Sequence, residues 1–208
     1  MADRRAFDVL RGFRRTQPQE RCELCAGALA EPHQHLLERE SGRVLCSCDP
    51  CAVLFSYRDE GTKFARIPRD ARRLMDFHID DAEWNALALP IDMAFFLNSS
   101  TAGRVVAYYP SPAGNTESLL TLEAWTDLVR ANPAIENMQA DVEALLVNRT
   151  RGRRDCYIAP IDQCYRLTGL IRMHWRGLSG GEAVWQEIER FFESLEECSV
   201  VEGSRAHA

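Results

Sequence analysis

The chain lacks any run of about eighteen apolar residues, so no segment reads as a membrane-spanning helix. Its opening, M-A-D-R-R-A-F-D-V-L-R-G-F-R-R, carries charges where a secretory signal needs an apolar run, which makes a soluble, cytoplasmic protein the expectation. No G-x-S-x-G or H-E-x-x-H occurs, which removes the commonest hydrolase and metalloprotease signatures. The loop P-S-P-A-G-N-T-E-S lacks the phosphate-loop lysine and the dinucleotide fingerprint, which argues against nucleotide binding. Basic residues are outnumbered, 25 against 31 acidic ones, and the net charge of −6 argues against a surface built for nucleic acid. Internal repeats are limited to a loose strand–strand–helix duplication, and low-complexity tracts are missing.

What the chain does have is cysteine in an unusual arrangement. Five of eight fall between residues 22 and 51, in R-C-E-L-C and C-S-C-D-P-C. Such crowding in C-x-x-C pairs, without an export signal, reads as metal ligation rather than as a disulfide scaffold. Cys22-x-x-Cys25 and Cys48-x-x-Cys51 can each turn two thiolates toward one ion through a tight knuckle, and the residues between them can form a returning hairpin. Thiolates suit Zn2+ first, with iron in a tetrathiolate or an iron–sulfur site as the alternative. A segment this short buries little core of its own, so a metal would also fold it.

Cys46 makes five thiols where a tetrahedral ion takes four. It stands open as a buried thiol beside the site, as an alternative ligand replacing Cys48, or as part of an iron–sulfur site. His33 and His35 lie between the two pairs. With Glu31 and Glu38 nearby they form a donor set suited to a second transition metal, although a polar hairpin tip is the simpler expectation.

The chain divides into a basic amphipathic helix or arm over residues 1–20, a cysteine module over 21–57 and a connector over 58–90. An α+β domain follows over 91–198, and a flexible tail over 199–208. In the connector, Asp80 and Glu83 form a capping box for a short helix with Trp84 and Leu87 inward. I-D-M-A-F-F-L-N and R-V-V-A-Y-Y read as paired strands, ended by P-S-P-A-G-N-T-E-S. A helix from Thr121 stops at Asn132-Pro133. V-E-A-L-L-V-N and D-C-Y-I-A form a second strand pair around an arginine-rich tip. Pro160 then opens a helix with Cys164, Leu167, Ile171 and Trp175 on one stripe. The last helix aligns Val184, Ile188, Phe191 and Leu195. The 46% apolar content supports a real core. The expected architecture is a small zinc-ribbon-like metal module joined to a two-layer antiparallel sheet covered by helices.

Arg149, Arg151, Arg153 and Arg154 crowd the tip of the second strand pair and are candidate contacts for an acidic partner or a phosphate, with a solvated turn as the plainer reading. Cys156, Cys164 and Cys198 read as core thiols. Cys164 and His174 are nearly three helical turns apart and cannot touch within one straight helix, so they form no catalytic dyad.

The two cysteine pairs resemble those of zinc ribbons and rubredoxins, which commonly place glycine after the second cysteine. Here that residue is Ala26 or Ala52. More broadly, C-E-L-C, C-S-C-D-P-C-A-V-L-F, R-V-V-A-Y-Y-P-S-P-A-G-N-T-E-S, D-V-E-A-L-L-V-N-R and I-A-P-I-D-Q-C-Y-R-L-T-G-L-I-R-M-H-W-R-G-L-S-G-G together resemble one family. It is an uncharacterised, mainly actinobacterial family, typically encoded beside high-affinity, oxygen-tolerant [NiFe] hydrogenase genes. The resemblance implies a hydrogenase-associated role, with a hydrogenase subunit or maturation factor as partner. It carries no catalytic residue over, only the cysteines Cys22, Cys25, Cys46, Cys48 and Cys51. The expected function is a non-enzymatic accessory protein for hydrogenase assembly. An electron-transfer protein using the same thiolates, a zinc-ribbon nucleic-acid binder and an enzyme with a Cys156 or Cys164 nucleophile are the rivals.

Overall fold

The computed structural model describes residues 20–56, 62–118, 122–177 and 179–202. The basic helix expected over residues 1–15 and the final G-S-R-A-H-A lie outside the described residues. The protein is α+β. A three-stranded antiparallel sheet, ordered β2-β1-β3, is built from β1 (Gln34–Glu38), β2 (Arg43–Ser47) and β3 (Phe64–Arg66), with α1 (Asp49–Phe55) between its last two strands. The larger sheet has the order β10-β4-β9-β8-β5-β6-β7. Its strands are β4 (Arg72–Leu74), β5 (Met93–Ser99), β6 (Arg104–Ser111), β7 (Gly114–Ser118), β8 (Glu143–Asn148), β9 (Asp155–Pro160) and β10 (Val200–Glu202). All pairings are antiparallel except β10 with β4. Among the described residues four helices accompany it: α2 (Asp81–Ala86), α3 (Leu122–Ala131), α4 (Ile161–His174) and α5 (Gly181–Cys198).

The two predicted strand pairs form the centre of this sheet. Strands β5, β8 and β9 are apolar on successive residues because both of their faces are covered. Phe95, Leu97, Leu146 and Tyr157 face α4 and α5, while Phe96, Leu145, Val147 and Ile158 face the side of Trp84 and Trp125. Helices therefore cover both faces, one more layer than the sequence pattern suggests. The stripes on α4 and α5 are as expected, with Cys164, Leu167, Ile171, Val184, Ile188, Phe191 and Leu195 all buried. The capping box also forms: Asp80 accepts from the Glu83 amide and Glu83 from the Asp80 amide, both at 2.7 Å.

Three readings need correction. P-S-P-A-G-N-T-E-S is not a loop that ends the pair, since Gly114–Ser118 turns back as β7 along β6. Residues 200–202 of the expected tail form β10, and Arg72 ties that edge inward by donating to Glu202 (3.1 Å) and to buried Glu143 (3.3 Å). The connector is not a separate piece, because β3 completes the small sheet and β4 joins the large one.

The cysteine module and the α+β domain share one core. Leu37 of β1 and Ala65 and Ile67 around β3 pack into the same cluster as Phe95, Tyr157 and the α4 stripe. Two polar links bridge the same junction: His35 to Asp162 at the start of α4, and Arg39 to Asp141. The module is thus held at a fixed angle by packing from below and by charges at its edges.

Candidate metal centre

The first cysteine pair sits in a tight turn. The Ala26 amide donates to the Cys22 carbonyl and the Cys22 amide to the Gly27 carbonyl, both at 2.8 Å, and Arg21 bridges to Ala28. This geometry forces Ala26 to φ 59°, a left-handed conformation that costs a residue with a Cβ about 1–2 kcal/mol. A glycine would adopt it freely, so the turn forms without glycine at some cost in stability. We expect Ala26→Gly to tighten metal binding about fivefold, the equivalent of about 1 kcal/mol. Competition with a calibrated chelator measures this, and unchanged or weaker affinity would count against the strain.

The second pair is not a knuckle. Cys48 is the residue that caps α1, with φ −74° and ψ 156°, and Cys51 lies in the first turn behind Asp49-Pro50. Proline is tolerated there because the first amides of a helix have no partner within it. Ala52 therefore has ordinary helical surroundings and donates its amide to the Cys48 carbonyl at 2.9 Å. Glu23 fastens the two halves together. Its amide donates to the Cys46 carbonyl, while its carboxylate accepts from the Cys46 amide (2.8 Å) and from Arg43.

The four sulfurs of Cys22, Cys25, Cys48 and Cys51 lie within 4.8 Å of one another, and none of these residues is in a disulfide. Cys25 Sγ and Cys48 Sγ are 3.8 Å apart. A tetrahedron with metal–sulfur bonds of about 2.3 Å has edges of about 3.8 Å, so this spacing fits a metal tetrathiolate. Cys22 and Cys51 are buried with Leu29, while Cys25 is exposed. Burial opposes ionisation of Cys22, but the amides of Cys48, Cys25 and Leu24 and the Cys25 thiol outweigh it and bring its pKa down to about 6. Cys51 is pushed up to about 12, first by burial and then by its thiol neighbours. A bound metal would let Cys51 ionise as well.

A model of a family of unknown function, DUF5947, matches residues 21–199. The chain belongs to that family. The DUF5947 match opens one residue before Cys22 and closes at the end of α5, so it contains the whole cysteine cluster. No curated protein and no solved structure matches the chain.

Cys46 is not one of the four. It stands opposite His35 in the β1–β2 ladder, and its thiol groups with His33 and His35. Burial and the carboxylates of Glu20, Glu23 and Glu31 raise its pKa. The two histidines are not at a hairpin tip, since the tip falls after β1 ends at Glu38. Their H-x-H spacing was visible in the sequence, whereas Cys46 as their cross-strand neighbour and Asp162 as the partner of His35 depend on the fold.

Each of the four arginines at the β8–β9 tip has an internal carboxylate. Arg149 pairs with Asp81 and lies over the Trp84 ring, and Arg154 reaches the same Asp81 at 3.5 Å. Arg151 spans Glu182 and Glu189 above Trp185, and Arg153 pairs with Asp155. Cys156 and Cys164 are core thiols, as expected, and burial raises the pKa of both. Cys198 is exposed at the end of α5, contrary to expectation. His174 is also on α4 with Cys164, and its nearest carboxylate is Glu187, 4.0 Å away.

Proposed function

We propose that this DUF5947 member is a cytoplasmic, non-enzymatic accessory protein whose Cys22, Cys25, Cys48 and Cys51 hold Zn2+ and stiffen a docking surface. Its partner is a subunit or maturation factor of a [NiFe] hydrogenase. One observation carries the docking reading. Helix α1, which contributes Cys51 to the cluster, leaves Val53, Leu54 and Phe55 exposed at 65%, 69% and 41%. Three adjacent apolar side chains facing water on a metal-anchored helix make a surface suited to a partner. Four sulfur donors suit a zinc ion with a structural role. The hydrogenase assignment rests on the resemblance of the cysteine and core segments to proteins encoded beside hydrogenase genes. Among the described residues no helix is long and apolar enough to cross a membrane. The raised pKa values of buried Cys156 and Cys164 give a thiol nucleophile no support, and the internally paired arginines give none to nucleic-acid binding.

Exposure of Cys25 favours one second reading, an electron-transfer centre with iron in the same thiolates, because an electron needs a short path from the surface. Metal analysis of protein purified without chelator, together with its visible spectrum, separates the two: zinc gives a colourless protein and iron a coloured one. Deleting the gene tests the role, and unchanged hydrogenase assembly and activity would refute it. Leu54→Asp should leave metal content intact and shift stability by less than about 0.5 kcal/mol, as for other surface changes. It should weaken capture of the hydrogenase partner at least about tenfold if Leu54 anchors the contact.

A further inference from the structure

We infer that His33, His35 and Cys46 form a second metal site, distinct from the four-cysteine cluster, that binds a zinc-class divalent ion with a carboxylate as fourth ligand. The donor atoms of these three residues lie within 4.8 Å of one another. The β1–β2 register explains the grouping, since Cys46 is directly opposite His35 and His33 precedes His35 by two residues. The imidazole rings meet edge to face, 5.0 Å between centroids at 76°, and so can direct nitrogens to a common point without stacking.

Two further observations point to a ligand. The His33 side chain is 8% exposed, yet among the described residues neither of its ring nitrogens has a hydrogen-bond partner. Buried polar groups normally have one, and leaving one without is unfavourable. Second, His35 is already oriented as metal-bound histidines are. Its Nδ1 is 2.6 Å from Asp162 Oδ2, and because a carboxylate only accepts, that nitrogen carries the proton, which in the neutral ring leaves Nε2 its lone pair. His35 Nε2, one His33 nitrogen and the Cys46 thiolate then make a mixed nitrogen–sulfur set suited to zinc or cobalt.

Carboxylates flank His33 on both sides, with Glu20 Oε2 3.6 Å from Nε2 and Glu31 Oε1 3.6 Å from Nδ1. Whichever nitrogen binds the ion, the carboxylate on that side completes the tetrahedron and the other accepts the remaining N–H. Closing the group onto zinc, with bonds of about 2.0–2.3 Å, draws the donors together by about 1 Å, which the exposed Glu20 and Glu31 and a turn of His33 can supply. Asp162 comes from α4, so occupancy of the site would also fasten the cysteine module to the α+β domain.

The rival is a site that holds no metal, its imidazoles facing only the flanking carboxylates. Anaerobic titration of the reduced, metal-free, full-length protein with Co2+ decides between them. Two equivalents should bind per chain, the second with a visible spectrum at higher energy because nitrogen and oxygen replace sulfur around the ion. Cys46→Ser and His35→Asn should abolish the second equivalent and keep the spectrum of the first, which also reports that the module is folded. Asp162→Asn should weaken only the second about 10–100-fold, as expected for the residue that orients a ligand. Saturation at one equivalent in a protein with a normal first-site spectrum overturns the proposal. So does a second equivalent that survives Cys46→Ser, or a doubly protonated His33 seen by nitrogen NMR in the Co2+-free Zn2+-saturated protein. Loss of the first spectrum alone would tell against the four-cysteine centre instead.

Discussion

Stripping the metal from the four-cysteine centre is expected to loosen the knuckle around residues 20–30 and helix α1, while the seven-stranded sheet keeps its protection. The reason is how little else holds the cysteine end of the module. Its own buried cluster is Cys22, Leu29 and Cys51, with Leu24, Cys46 and Cys48 packed partly against it. Helix α1 has seven residues, too short to be stable on propensity alone. Against that, binding of structural zinc in small peptides contributes about 10–16 kcal/mol near neutral pH. Strand β1 has other support, because Leu37 belongs to the main core. Opening should therefore stop near the start of β1. Hydrogen exchange with and without chelator reads this directly: amides of residues 22–30 and 49–56 should lose protection, and those of β5, β8 and β9 should not. Cys51→Ser should reproduce the pattern more strongly than Cys25→Ser, since a hydroxyl in the buried position is both a poorer ligand and a desolvated polar group. Unchanged exchange in residues 22–30 after complete metal removal would mean that packing, not metal, holds the knuckle.

The parts of this structure that could be read in the sequence are those where one local pattern dominates. M-A-F-F-L, E-A-L-L-V-N and D-C-Y-I-A are strands because apolar and β-favouring runs stand between turn residues, and the stripes of α4 and α5 repeat at helical spacing. The approach of Cys22, Cys25, Cys48 and Cys51 to one another was legible from C-x-x-C spacing alone. Long-range pairing hid the rest. G-N-T-E-S has the composition of a loop and becomes β7 only because β6 offers it an edge. Strands β4 and β10 are three residues each, with no periodicity to detect. The tip arginines look free until α2 and α5 bring Asp81, Glu182 and Glu189 beside them. The place of Cys46 depends on the hairpin register, which moves every side chain to the other face if it slips by one residue. Asp49-Pro50 was the one overlooked local cue, since proline after a capping position marks a helix start and not a knuckle.

The second large effect is expected at the junction of module and domain. Asp141 is 7% exposed and left-handed at φ 69°, and it sits where the β1–β2 hairpin meets the turn after β5. Its carboxylate accepts from the Ser100 amide (2.8 Å), the Ser100 hydroxyl (2.6 Å) and Arg39. Arg39→Ala leaves that buried charge with neutral donors only. The cost should be about 2–3 kcal/mol, below the about 3–5 kcal/mol typical of a fully buried pair, because the Arg39 side chain is itself 31% exposed and screened. Asparagine tolerates the left-handed backbone and carries no charge to strand. In an Asp141→Asn background, therefore, Arg39→Ala should cost under about 1 kcal/mol, since a double-mutant cycle isolates the charge pairing from the loss of side-chain packing. Urea unfolding of the four proteins at equal metal loading measures this, with the midpoint shifting and the slope holding. Equal costs in both backgrounds would place the stabilisation in the packing of the Arg39 chain, and the fixed angle of the metal module would then rest on Leu37, Ala65 and Ile67 and not on this ion pair.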